Sequence, residues 1–368
     1  MASSNVRLSG LFQMFGEEYV SRYAEAMPPA HRKAIGDILS CRTQIMGGKR
    51  YDCPRCKAQQ YAYHSCNNRH CPRCGGDKTE GWLKKQFDRL LPVPYFFVTF
   101  TLPDTFRFLF RSHQMLCYGL FFEASAQALK EVASNKRFVG GDIGFFGVLQ
   151  TWTSALFYHP HIHYIVPGVG LSRNRKNWIK IKNKGFLLHV KPLGLRFKSL
   201  FQQALKKHPD LYAQVPDSVW HRDWVVHCTP SGYGREVIQY VAPYVYRTAM
   251  TDQRNVTLHD DATVSFRYKD NETKKRKSCR LEVMELLRRY LQHVLPKGFV
   301  KIRYFGLMGA NQRHLQKQLK WLILKSIAQK EQAAFLAIVF KPRDRQMRCK
   351  CCGELLVVSA ILKASRGP

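Results

Sequence analysis

Along residues 5–40 apolar side chains recur at three- and four-residue steps, which predicts helix, and Pro28-Pro29 breaks the stretch into two. Residues 41–76 are short, polar and rich in Cys, Gly and Arg, with too few apolar positions for a core of their own. A helix is expected over 79–91, capped by Asp77 or Thr79 and ended by Pro92 and Pro94. The texture then changes. Residues 95–102 read YFFVTFTL, the β-branched and aromatic mix of a strand. Helix is expected at 104–134, strands at 145–152 and 161–167, a hairpin at 178–181 and 186–190, and an amphipathic helix at 193–207. A strand at 219–228, a helical stretch at 235–248, a strand at 264–268 and helices at 281–295 and 311–337 complete the pattern. The sum is an α+β chain with a central antiparallel sheet flanked by helices. The expected division is 1–92 (helical and cysteine-rich), 93–270 (sheet-containing) and 271–368 (helical, with a cysteine-containing tail).

Charge narrows the partners. Lys plus Arg number 59 against 26 Asp plus Glu, a formal net charge of +33. Such an excess repels itself unless a polyanion is near, so nucleic acid leads. An anionic membrane surface competes, but no stretch approaches the roughly 18 apolar residues of a spanning helix. The first 20 residues also lack the basic flank and continuous apolar run of a secretory leader. A cytoplasmic protein without a membrane partner is expected.

Twelve cysteines in a large basic chain point to zinc rather than disulfides. Cys53-Pro-Arg-Cys56 and Cys71-Pro-Arg-Cys74 are two CxxC knuckles that can converge four thiolates on one tetrahedral Zn²⁺. Binding energy from such an ion can fold a segment that lacks a core. Cys41, Cys66 and His70 remain nearby as candidates for a second zinc, with His64 or His31 as fourth ligand; the alternative is that they pack beneath the ribbon. The tail motif Cys349-Lys-Cys351-Cys352-Gly is half a site, while Cys117, Cys228 and Cys279 are isolated. Arg42, Arg55, Arg69 and Arg73 decorate the module and suit contact with DNA phosphates.

Residues 157–168 read FYHPHIHYIVPG. In a strand, residues two apart face the same way, so His161 and His163 point together and can chelate one divalent cation. Alone, an H-x-H triplet is weak, because buried and surface histidines outnumber ligands. Gln150, on the preceding strand, can supply a third ligand or a structural hydrogen bond. Two imidazoles and one oxygen with open positions suit Mg²⁺ or Mn²⁺ acting on a phosphate. His159 shares the parity, but Pro160 interrupts the ladder. Further on, Tyr240 and Tyr244 share a face if their segment is helical, although Pro243 between them opposes a regular helix. On a generic reading such tyrosines are packing residues.

Together these motifs resemble a known family. HPHIHYIVPG, YVAPYVYRTAM, the strand FVTFTLP, the zinc module and HVLPKGFVKIRYFGL are similar to the HUH transposases of rolling-circle insertion sequences, the two-tyrosine IS91 group, over roughly residues 35–310. The resemblance implies a five-stranded antiparallel sheet with the histidine pair central and the tyrosine helix alongside. It implies that Tyr240 or Tyr244 attacks a single-stranded DNA phosphodiester, leaving a 5′-phosphotyrosine and a free 3′-hydroxyl, with His161, His163 and Gln150 holding the catalytic metal. Arg247 then joins the DNA-binding residues. Where the family often carries histidine this chain has Gln150. Implied partners are single-stranded transposon ends, target DNA and host replication or helicase functions. A relaxase or rolling-circle replication initiator is the nearest rival, and a catalytically silent zinc protein that binds single-stranded DNA the rival of another class.

Overall fold

The structure, a computed structural model, describes residues 4–234, 236–238, 245, 248–270, 273–338 and 346–365. Its strands are β1 (Ser4–Val6), β2 (Gly48–Asp52), β3 (Gln59–Tyr63), β4 (Pro94–Thr101), β5 (Gly144–Trp152), β6 (Tyr158–Pro167), β7 (Val169–Leu171), β8 (Trp178–Lys180), β9 (Val226–Tyr233), β10 (Val256–Leu258), β11 (Thr263–Lys269), β12 (Arg276–Glu282), β13 (Ile302–Gly306) and β14 (Val357–Leu362). The longer helices are α1 (Leu8–Arg22), α2 (Pro29–Ser40), α3 (Thr79–Asp88), α4 (Gln114–Ser134), α5 (Val190–Lys206), α6 (Val283–Leu291), α7 (Arg313–Ser326) and α8 (Gln329–Leu336).

Five antiparallel strands form the central sheet in the order β13-β5-β6-β4-β9, which puts the histidine strand β6 in the middle. Alternation divides β6 between two cores. Ile162, Tyr164 and Val166 sit on one face, beneath α4 and α5, within a large aromatic core that includes Phe100, Phe121 and Phe197. Ile165 lies on the other face with Val148, Leu91 and Leu319, against α3 and α7. Tyr164 is fully buried and its hydroxyl meets Ser125 Oγ at 2.7 Å, which pins β6 to α4. Opposite it stands Gly147; a Cβ added there would lie 2.4 Å from the Tyr164 ring.

The rest of the chain wraps this unit. A second sheet runs β1-β10-β11-β12, so the first strand pairs with residues some 250 positions on. Leu8, Leu11 and Phe12 of α1 pack with Ile35 and Ile38 of α2 and with Leu286, Leu287 and Leu291 of α6 in one core. The expected boundary at 270 falls in the connection between β11 and β12, and β13 from the expected helical C-terminal region forms an edge of the central sheet. The expected hairpin at 178–181 and 186–190 is absent in that form. β8 instead pairs with β7, and 186–190 leads into α5. Gly185 N donates to Asn183 Oδ1 at 2.8 Å to close a turn, and Pro192, with its fixed φ, sits in the first turn of the helix. Residues 218–221 are a helical turn, and the strand expected at 219–228 is displaced to Val226–Tyr233. Most of the expected helix at 235–248 lies outside the described residues.

His293 joins the two cores. Its ring is buried, stacks on Tyr158 and bonds Thr151 Oγ1 at 3.2 Å and the Leu156 carbonyl at 3.3 Å. Desolvation lowers its pKa from about 6.5 to about 3. The folded state therefore holds it neutral while the unfolded chain takes up a proton below about 6.5. Stability should fall as pH drops from about 6.5 toward 3, by up to about 1.4 kcal/mol per pH unit from this residue. Urea titrations across that range should show a shallower pH slope for His293→Gln. Separately, Gly147→Ala should cost about 1–3 kcal/mol through overpacking against Tyr164, read as a shift of the urea midpoint.

Candidate active site and zinc module

Register sets the site. Gln150 is the direct cross-strand partner of His161, and Thr99 that of His163. All four share the sheet face of Ile165 and Val148. The two imidazoles lie with ring centroids 4.8 Å apart and planes at 89°. His161 Nδ1–H donates to the His159 carbonyl at 2.7 Å, which leaves the Nε2 lone pair free of a proton. Thr99 Oγ1 lies 2.9 Å from His163 Nδ1; a hydroxyl accepting there gives His163 the same tautomer. Burial lowers the His161 pKa to about 3, with the neighbouring His163 adding to the effect, and lowers His163 to about 4. Both rings are neutral at physiological pH, the state a metal ligand requires. Gln150 is also buried. The register thus places two neutral imidazoles and one side-chain amide on one face of the sheet.

His159 stands apart. The β5–β6 register jumps from Gln150↔His161 to Trp152↔Tyr158, leaving His159 and Pro160 in a bulge. Pro160 has no N–H for the ladder, so the bulge is where its chemistry allows it. His159 contributes its carbonyl to His161 rather than its ring. Sequence reasoning missed that role and that of Thr99; the signal for Thr99 lay in the FVTFTLP strand, at the parity opposite Phe96, Val98 and Phe100.

Tyr240 and Tyr244 lie outside the described residues, as does Arg247. The flanking residues are informative. Val237, Ile238 and Val245 are buried in the core on the same face of the sheet as His161 and His163.

The cysteines assemble differently from the sequence expectation. Cys53, Cys56, Cys71 and Cys74 do not converge; two quartets form instead, Cys41, Cys66, Cys71 and Cys74, and Cys53, Cys56, Cys349 and Cys352. The reason is strand length. The first knuckle follows β2 at the Asp52↔Gln59 end of the β2–β3 hairpin, and the chain returns to Cys66 past the Gly48↔Tyr63 end. Four residue steps of strand separate the ends by roughly 13 Å, too far for one ion. In the inner quartet Cys66 Sγ and Cys74 Sγ are 3.5 Å apart, close to the roughly 3.8 Å of thiolates around a tetrahedral Zn²⁺. Each quartet is held by a repeated turn, in which the amide after the second cysteine donates to the carbonyl of the first: Lys57 to Cys53 at 3.0 Å, Gly75 to Cys71 at 2.8 Å and Gly353 to Cys349 at 2.9 Å. Sequence reasoning took the tail for half a site; its Cys349-x-x-Cys352-Gly spacing, matching Cys71-x-x-Cys74-Gly, was the signal for the other half.

Three further expectations change. His70 is not in a quartet, because its Nε2 accepts from Leu295 N at 3.1 Å and Arg69 Nε at 3.2 Å. Arg69 also donates to the carbonyls of Phe299 at 2.6 Å and Pro296 at 3.1 Å. Arg73 donates to the Cys41 carbonyl at 2.6 Å and Ser9 Oγ at 3.0 Å, and faces Asp252 at 3.7 Å. Both guanidiniums clamp neighbouring parts of the fold. Arg42 pairs with Asp77 at 3.1 Å in the open, and Arg55 is exposed on its knuckle.

The fold and these sites define a two-part metalloprotein, a thiolate zinc module joined to an antiparallel α+β domain with a histidine-bearing face. A family model described as a transposase zinc-binding domain matches residues 11–102, and one described as a putative transposase matches residues 144–316. The chain is 36% identical over 332 residues to the putative transposase y4qJ of Sinorhizobium fredii, covering 85% of this chain and 83% of that protein. It is 29% identical over 354 residues to the transposase for insertion sequence element IS801 of Pseudomonas savastanoi pv. phaseolicola, covering 90% and 83%. No solved structure matches it. The chain belongs to the IS91 family of transposases, with an N-terminal zinc-binding module. None of its helices, among the described residues, is long and apolar enough to cross a membrane.

Because Arg73 ties a zinc knuckle to α1 and faces Asp252, Arg73→Ala should lower stability by about 2 kcal/mol, through the loss of its hydrogen bonds to the Cys41 carbonyl and Ser9 Oγ and of its charge beside Asp252. Arg55→Ala should leave the thermal midpoint unchanged and weaken DNA binding, with a smaller salt slope. Differential scanning fluorimetry and anisotropy titrations against a single-stranded oligonucleotide separate the two roles.

Proposed function

We propose that the chain nicks and rejoins single-stranded DNA at the ends of its element by tyrosine transesterification, in rolling-circle-type transposition. The observation that carries this reading is the convergence of Gln150, His161 and His163 on one face of the central sheet, with Val237, Ile238 and Val245 of the tyrosine segment buried against that same face. Family membership supports DNA as substrate, and a net charge of +33 supports a polyanionic partner.

In this reading His161 Nε2, His163 Nε2 and the Gln150 side-chain oxygen hold Mg²⁺ or Mn²⁺. The His159 carbonyl and Thr99 keep the two rings in the ligating tautomer. When bound, the cation polarises the scissile phosphate and offsets charge developing in the transition state. Tyr240 or Tyr244 provides the nucleophile. Its phenol loses its proton as its oxygen bonds phosphorus. The P–O3′ bond breaks, and the departing 3′ oxygen takes up a proton. One phosphodiester is exchanged for another, so a 5′-phosphotyrosine retains the bond needed for rejoining, and attack by a 3′-hydroxyl reverses the step. Arg42, Arg55 and Arg247 are the proposed phosphate contacts, and host replication or helicase functions would supply the single strand.

Full-length protein incubated with Mn²⁺ and single-stranded DNA from its own element's ends should form an adduct that survives SDS. His161→Ala, His163→Ala and Gln150→Ala should each reduce its yield, the histidine changes on the order of 100-fold. Tyr240→Phe or Tyr244→Phe should abolish it; an adduct intact in both single variants would remove these tyrosines from the mechanism. No adduct with any divalent cation would favour a protein that binds single strands without cutting them.

A further inference from the structure

The outer cysteine quartet differs from the inner one in what surrounds it. Cys41, Cys71 and Cys74 belong to the apolar core of α1, α2 and α6, with Cys66 packed against it. Residues 48–63 and 346–365, which form the three-stranded ribbon β14-β2-β3, contribute to none of the three apolar cores. The tail strand β14 is paired to β2 with a bulge at Ser359, yet Val357, Val358 and Ile361 are 59%, 46% and 77% exposed. Burial of apolar surface therefore does little to hold the tail. A small sheet without a covered face is marginal in water. What remains among the described residues is the ladder, the contacts of Ser359 Oγ with Arg50 Nε at 3.0 Å and the Arg50 carbonyl at 3.3 Å, the donation of Ser365 N to the Ile45 carbonyl at 3.1 Å and of its Oγ at 3.4 Å, and the sulfurs.

Those sulfurs have the geometry of a metal site. Cys53 Sγ lies 3.5 Å from Cys352 Sγ, and Cys56 Sγ lies 3.5 Å from Cys349 Sγ and 3.6 Å from Cys352 Sγ. All four lie within 4.8 Å of one another, and all are free thiols. These spacings are too long for a disulfide and near the thiolate separation around tetrahedral Zn²⁺. Two ligands follow β2 and two precede β14, 293 positions apart for the Cys56–Cys349 pair.

We infer that Cys53, Cys56, Cys349 and Cys352 bind a second structural Zn²⁺ that fastens the C-terminal tail to the N-terminal module, and that loss of this ion alone releases the tail. The inner ion is enclosed by the apolar core and stays. The outer site is the more accessible, with Cys56 exposed, and its protein scaffold is not stable without the metal. Phe335 of α8, with Ile338 beyond it, packs against the core on the histidine face.

The test uses the full chain and does not depend on nuclease activity. Zinc analysis should find two ions per chain in the wild type, one in Cys349→Ser/Cys352→Ser, and two in Cys351→Ser, which lies outside the quartet. One ion in the wild type, or two in the double variant, overturns the assignment. A second measurement avoids variants. In the zinc-loaded wild type, iodoacetamide followed by peptide mapping should label Cys351 and spare both quartets. A mild chelator should then open Cys53, Cys56, Cys349 and Cys352 to labelling and the chain after 346 to protease, with Cys41, Cys66, Cys71 and Cys74 still protected. Labelling of Cys349 and Cys352 as fast as Cys351 before chelation would refute the site, and simultaneous opening of both quartets would refute selective release.

Discussion

The pairing of β6 between β4 and β5 is the constraint on which the rest of the domain depends. A strand in the middle of a sheet must satisfy both faces, and strict alternation leaves it no freedom in how it does so. Ile162, Tyr164 and Val166 fill one core, and the Tyr164–Ser125 hydrogen bond fixes the register against α4. With those residues committed, His161 and His163 must face the other side, and the neighbouring strands must present Gln150 and Thr99 beside them. A slip of one residue would bury the imidazoles in the aromatic core and empty the site. The same packing that stabilises the sheet thus sets which face these side chains take, and Gly147 stands where the Tyr164 ring leaves no room for a side chain.

The zinc module obeys a different economy of contacts. Its knuckles are local turns, each closed by an amide N–H donating to the first cysteine's carbonyl. Which knuckles share an ion is a matter of distance. The β2–β3 hairpin carries the first knuckle away from the second, so each finds partners elsewhere: one in Cys41 at the end of α2 and Cys66, the other in the tail. The inner quartet is then buttressed by Arg73, which links Cys41 to Ser9 and, through it, to Asp252.

The charge of the chain is likewise divided between two tasks. Some of the arginines that suggest a nucleic-acid surface are engaged internally: Arg69 and Arg73 donate to backbone carbonyls near the zinc module. Exposed positions such as Arg55 keep their heads in water and remain available to a polyanion. For a transposase of this family, the internal cations set the shape on which the external ones are displayed.

Much was legible in the residues taken in order. Alternation in YHPHIHYIVP, the aromatic run of β4, the Pro28-Pro29 break and the CxxC knuckles each encode their own local geometry, because period, proline chemistry and cysteine spacing act over a few residues. They determined an α+β chain with a central antiparallel sheet, two imidazoles on one face of it, and zinc. The failures were of partnership. Residues 186–190 have strand-like composition but lead into α5, and residue types alone did not say that Cys53 would meet Cys352, or that β1 would pair with β10. Those contacts join positions hundreds of residues apart, and their geometry depends on strand lengths and core packing that exist only once the chain has folded. Sequence by itself determined which side chains can bind metal; tertiary structure decided which of them share one, because coordination is set by distance in space.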